Sequence, residues 1–148
     1  MIIESTRFGA FEYEESSIIH FANGIPGFKD NKNYILADIE DSPFVFMQSV
    51  EDEDLTFIVA SPFDFHEAYE FELPQHLKTE LQLQDESHIK VYNIVTISGL
   101  LDTATMNLIA PIIINTAERN GVQYILSEGN YSIKHPLFLN SLSEEGGK

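Results

Sequence analysis

Alternation of apolar and polar residues, in short runs separated by turn-forming residues, constrains this chain more than any other feature. A period of two places successive side chains on opposite faces, which suits a half-buried antiparallel strand and cannot line one face of a helix. The clearest runs are residues 33–39, 44–49 and 55–60, rich in aromatic and β-branched residues and joined by Asp41-Ser42-Pro43 and Glu51-Asp52-Glu53-Asp54. They predict a three-stranded meander. Strand character returns over 88–97 and 109–115, where Pro111 marks a strand start, edge or bulge. Asn120-Gly121, the favoured pair for a type I′ turn, predicts a final hairpin leading into 122–126.

Two other segments punctuate this pattern. Gly24-Ile25-Pro26-Gly27 specifies a tight, irregular turn rather than a phosphate loop, because it lacks the G-x-G-x-x-G spacing and opens no clear helix. Pro74 to Leu81 is the best helix candidate, with proline at the first position and Leu77 and Leu81 one turn apart. The fold class that follows is mainly β: a single-domain antiparallel β-barrel-like fold over residues 1–138, with one or two short helices. Residues 139–148, ending Glu-Glu-Gly-Gly-Lys, are expected to form a mobile polar tail.

Charge narrows the class of ligand. With 24 acidic against 8 basic residues the formal net charge is −16, and the basic residues are scattered. A nucleic-acid backbone is held by clustered Lys and Arg, so direct nucleic-acid binding is disfavoured and a basic partner fits better. Surplus acid also serves solubility alone. There is no cysteine, hence no disulfide framework and no thiol nucleophile. The first residues lack a basic region followed by a long apolar stretch, and no apolar run reaches membrane-spanning length, so a cytoplasmic protein is expected. Asn130-Tyr131-Ser132 matches a glycosylation sequon, which carries little meaning there.

Catalytic signatures are missing. His20, His66, His76, His88 and His135 lie in separate segments with no H-E-x-x-H and no closely spaced pair, so neither a metal nor a cofactor is expected. There is no G-x-S-x-G elbow or P-loop. A pair of carboxylates suffices for glycosidase-type hydrolysis, but in so acidic a chain some pair always qualifies, and an acid/base hydrolase has no specific support.

The more informative constellation is Tyr69-Glu70-Phe71-Glu72-Leu73. Read as a strand, it puts Tyr69, Phe71 and Leu73 on one face and Glu70 and Glu72 on the other. Such charges either guard a sheet edge or, beside Phe63 and Asp64, receive a basic partner. Asn107 and Asn115 bracket an almost wholly apolar run that includes Pro111. Asn at such positions caps turns more often than it meets a ligand. The candidate partner-binding residues are therefore Phe63, Asp64, Tyr69, Glu70, Glu72, Asn107 and Pro111.

Gly24-Ile25-Pro26-Gly27-Phe28, Phe46-Met47-Gln48-Ser49, Ser61-Pro62-Phe63-Asp64 and the run from Thr105 to Asn115 occur in an order and spacing that resemble the FliW family of flagellar assembly factors. The resemblance spans about Phe11 to Phe138. It implies a β-barrel-like protein that binds the RNA-binding translational repressor CsrA and also binds flagellin. In that picture secreted flagellin frees the protein to antagonise CsrA and relieve repression of flagellin translation. An acidic nucleic-acid mimic competing directly for an RNA site is the alternative.

Overall fold

A computed structural model describes residues 1–97, 99–100, 103–127 and 130–138. The tail expected over 139–148 lies outside the described residues. The meander forms as the alternation predicts: β4 (Asn33–Asp38), β5 (Phe44–Ser49) and β6 (Thr56–Ala60) pair antiparallel, with Leu36 opposite Met47 and Met47 opposite Phe57. β7 (Ile89–Thr96) joins β6 through Ile58–Val95 and Val59–Ile94, and its first half pairs with β9 (Ile112–Asn115). β9 pairs with β10 (Asn120–Gln123), and β10 meets β3 (Ile19–His20), which returns to β4.

The ring β3-β4-β5-β6-β7-β9-β10 is thus closed. Seven is odd, so strands of alternating direction cannot all pair antiparallel around it, and one parallel seam is obligatory. It falls at β3–β10, where the ladder is the single pair Asn120–His20, supported by the His20 N–H donating to the Arg119 carbonyl at 2.9 Å. Closure removes the free edges that an open sheet would expose.

Alternation then builds two cores. Ile19, Phe21, Tyr34, Met47, Val59, Ile112 and Ile114 point into the barrel. The opposite faces of β5, β6 and β7 present Phe44, Ala60 and Val95 to a second cluster with Tyr69, Met106, Leu108 and Leu137. That outer cluster is covered by the 3-10 turn Pro62–Asp64, the segment 65–73, β8 (Thr105–Met106) and β11 (His135–Pro136). α1 (Gln75–Glu80) follows, and the expected spacing buries both Leu77 and Leu81. Pro74 stands at the N-cap, one position before the helix proper.

The Gly24–Gly27 turn is tight as read. Pro26 and Gly27 occupy its central positions, Gly27 has φ +90, and the Phe28 N–H donates to the Ile25 carbonyl at 2.7 Å. Pro111 immediately precedes β9, a strand start.

Two readings need correction, and one element is new. Asn120 and Gly121 are not a turn but the first rungs of β10, opposite Asn115 and Ile114. The hairpin turn is 116–119: the Asn115 side chain accepts from the Ala117 and Glu118 N–H groups at 3.0 and 3.3 Å, and Arg119 supplies the positive φ. Gly121 is there for space, since a Cβ would lie 2.8 Å from the Phe21 ring. Secondly, residues 69–73 belong to no strand. An N-terminal hairpin, β1 (Ile2–Ser5) with β2 (Gly9–Glu12), went unpredicted because its alternation is too short to register. Phe8, in its turn, stacks on Phe46 at 4.7 Å, and the Ser5 hydroxyl donates to buried Gln48 at 2.8 Å.

Candidate partner-binding face

The faces read for residues 69–73 hold although the strand does not. Tyr69 is buried, Phe71 and Leu73 are half-buried, and Glu70 and Glu72 are exposed. Tyr69 is the anchor. Its hydroxyl donates to the Leu108 carbonyl at 2.7 Å, and its ring meets Phe63, Phe71 and Tyr131 at centroid distances of 6.0, 5.8 and 4.7 Å. Burial pushes the phenol pKa up, only partly offset by the Asn93 amide beside it. Tyr69 therefore shapes the face from beneath; with 3% of its surface exposed it offers a partner almost nothing.

Phe63 and Asp64 lie at the surface on the 3-10 turn, Phe63 with 44% of its area exposed. Asn107 and Pro111 belong to the scaffold. Asn107 caps a turn through the Ile109 N–H at 3.0 Å and accepts from the Asn93 amide at 2.7 Å on its carbonyl. Pro111 is buried, and its carbonyl holds the Tyr124 N–H at 2.9 Å. The structure thus gathers Phe63, Glu70 and Glu72 around Tyr69, with Asp64 exposed next to Phe63 in the chain, Asn107 linked to Tyr69 through Asn93, and Pro111 buried apart from them.

Beside this ridge runs an open cleft of about 970 Å3, lined by residues 70–75 together with Tyr124, Leu126, Ser127, Asn130 and Tyr131. Tyr131, noticed in the sequence only inside a sequon, is the clamp: its hydroxyl accepts from the Glu70 N–H at 3.0 Å and donates to the Glu70 carbonyl at 3.2 Å. Among the described residues Lys78 is the one lysine or arginine lining the cleft, and it is held by Glu86 at 3.5 Å in their only salt bridge. Glu70 and Glu72 have no ion-pair partner among the described residues.

The histidines are less scattered than their sequence positions imply. His66 and His135 lie with ring centroids 5.4 Å apart, and His66 also meets Tyr69 and Tyr131. Burial, and then the neighbouring His66, lower the His135 pKa. Nothing in sequence spacing signals a contact between residues so far apart. Among the described residues no group of three His, Asp or Glu is gathered for a metal. No described helix is long and apolar enough to cross a membrane.

The model of the FliW protein family matches residues 2–137. The chain belongs to the FliW family. A flagellar assembly factor FliW of Clostridium botulinum is 42% identical over 139 residues, covering 93% of this chain and 97% of the relative. One from Desulfitobacterium hafniense is 43% identical over 152 residues, covering both chains completely. A crystal structure of a flagellar assembly factor FliW superimposes with a TM-score of 0.88 at 38% identity, over 93% of this chain and 97% of that one. This FliW-family chain therefore shares that fold almost end to end, and the expected mainly β fold is the fold found. Its relatives are named as assembly factors.

Proposed function

We propose that this protein is a non-enzymatic regulator of flagellar assembly that works in the cytoplasm by binding other proteins: a CsrA-type RNA-binding repressor, whose repression of flagellin translation it antagonises, and flagellin, in a partner switch. The observation that carries the reading is the pair Glu70 and Glu72, exposed, unpaired and beside a cleft in a chain of charge −16. A protein that grips RNA phosphates presents a basic surface, and an acidic face steers and holds such a surface. The repressor accordingly meets Glu70 and Glu72 with Phe63 and Asp64 at the margin, while Tyr69, Asn107 and Pro111 hold that face in shape.

Calorimetric titration of the purified repressor tests this directly. The double change Glu70→Lys with Glu72→Lys weakens repressor binding at least about tenfold, roughly 1.4 kcal/mol, because like charges then oppose one another across the interface. Flagellin binding falls less, since helical end segments dock through apolar contacts. Unchanged repressor affinity in a folded double variant would place the repressor on another face. RNA added to the wild-type titration separates the two modes of antagonism: an affinity that weakens in proportion to RNA marks a direct nucleic-acid mimic.

A further inference from the structure

Residues 69–73 alternate buried and exposed, and one hydroxyl reaches both backbone groups of Glu70, as in an extended chain whose hydrogen-bonding is unfinished. In an extended chain each residue's N–H and C=O point to the same side, and successive residues alternate sides. The Tyr131 hydroxyl answers both groups of Glu70, occupying the place a neighbouring strand would take in an antiparallel rung. Glu72, two residues on, has among the described residues no partner for its own N–H or C=O, and the alternation of an extended chain would turn both to that same side. The backbone groups of Phe71 and Leu73 likewise have no partner among the described residues. Water satisfies these groups while the cleft is open. Any partner that covers the cleft must replace that water with hydrogen bonds or leave buried polar groups unsatisfied.

A helix laid in the cleft has no free backbone groups to offer Glu72, whereas an extended segment has them at every second residue. Side chains fix the chemistry of that segment. Glu70 and Glu72 rise on one face about 7 Å apart, the repeat of alternate residues on a strand, and opposite charges directly across a pair of strands attract. The neighbouring cation Lys78 is already held by Glu86.

We propose that a basic segment of the partner, with Lys or Arg at alternate positions, adds as a β-strand along Glu70–Leu73, taking the rung at Glu72 and displacing the Tyr131 hydroxyl from Glu70. The identity of that partner as the repressor rests on the functional reading above; the strand-accepting edge does not.

The test uses the whole chain and a fluorescein-labelled peptide amide, Lys-Val-Lys-Val-Lys-Val, with fluorescence anisotropy as the readout. Methylating every backbone nitrogen of the peptide keeps its charge and removes its N–H donors. Binding then weakens at least about tenfold if strand pairing holds it. Tyr131→Phe keeps the ring against Tyr69 and removes the hydroxyl that competes for Glu70, so this variant binds the unmethylated peptide about three- to tenfold more tightly. In the wild-type complex, amide exchange at Glu72 slows. Equal binding of the two peptides, a Tyr131→Phe variant that is folded yet no tighter, or unchanged exchange at Glu72 overturns the proposal. Should the peptide behave as expected while the repressor fails to bind the wild-type chain, the functional reading falls and the edge stands.

Discussion

The β4–β5–β6 meander and the segment 61–73 that follows it are written in the same chemistry, alternating aromatic or β-branched residues with polar ones, yet one is a ladder and the other a ridge. In the meander Met47 lies between Leu36 and Phe57, with its side chain in the barrel. In the ridge Tyr69, Phe71 and Leu73 pack inward just as regularly, but no strand lies alongside. Alternation therefore reports which side of a segment faces apolar surroundings, and says nothing about whether its edges are paired. Stability belongs to the segment with neighbours, and the binding proposed above belongs to the one without.

Truncating the meander's central side chain should show the first half of that contrast most strongly. Met47 is fully buried in the barrel core. Met47→Ala is expected to cost about 2–5 kcal/mol, since the ring of strands cannot collapse onto the cavity. Urea denaturation measures it, and a loss under 1 kcal/mol would mean that the barrel interior is loosely packed. At the obligatory parallel seam the effect is smaller and comes from crowding. Gly121→Ala drives a methyl to within 2.8 Å of the Phe21 ring and 3.2 Å of the Ile113 carbonyl, where the backbone cannot yield. The expected cost is about 1–3 kcal/mol in the same assay. On the ridge, Glu70→Lys with Glu72→Lys is expected to change unfolding free energy by at most about 0.5 kcal/mol per site, because neither carboxylate has a structural partner. A large stability loss there would dissolve the distinction between ladder and ridge.

The same distinction explains what the sequence disclosed. The meander, Leu77 on α1 with Leu81 at its C-cap, the capping by Asn107 and Asn115 and the strand start at Pro111 are legible because each is written in local spacing. The hairpin turn was misplaced because Asn-Gly has a strong local preference, which the tertiary demand for a small residue under Phe21 overrides. Of the candidate face, the outward glutamates and Phe63 follow from local pattern. The cleft does not, since Tyr131 reaches Glu70 across 61 positions and His66 reaches His135 across a similar span. Such contacts depend on how loops cross the finished barrel, and no periodicity encodes them.

That last pair gives the smallest and most specific expected effect, on the boundary between ladder and ridge. β11 carries His135 against the outer core, where burial and the adjacent His66 hold its pKa below the ordinary histidine value of 6.5. Folding thus favours the neutral ring. The unfolded chain takes up a proton as pH falls through about 6.5, whereas the folded chain resists until its own lower pKa. The contribution of neutral His135 to stability is consequently complete above that value and is lost progressively as pH falls from there toward the folded pKa. His135→Gln removes the titration and should flatten this part of the profile. Melting temperatures between pH 7.5 and about 5, above the range where carboxylates titrate, isolate the difference between wild type and variant. Parallel profiles would mean that β11 does not hold the imidazole in its neutral form. A wild-type curve that falls away from the variant's on acidification would tie the strap over the outer core to protonation beside the ridge, while the β4–β5–β6 meander, which holds no histidine, stays indifferent to the same change.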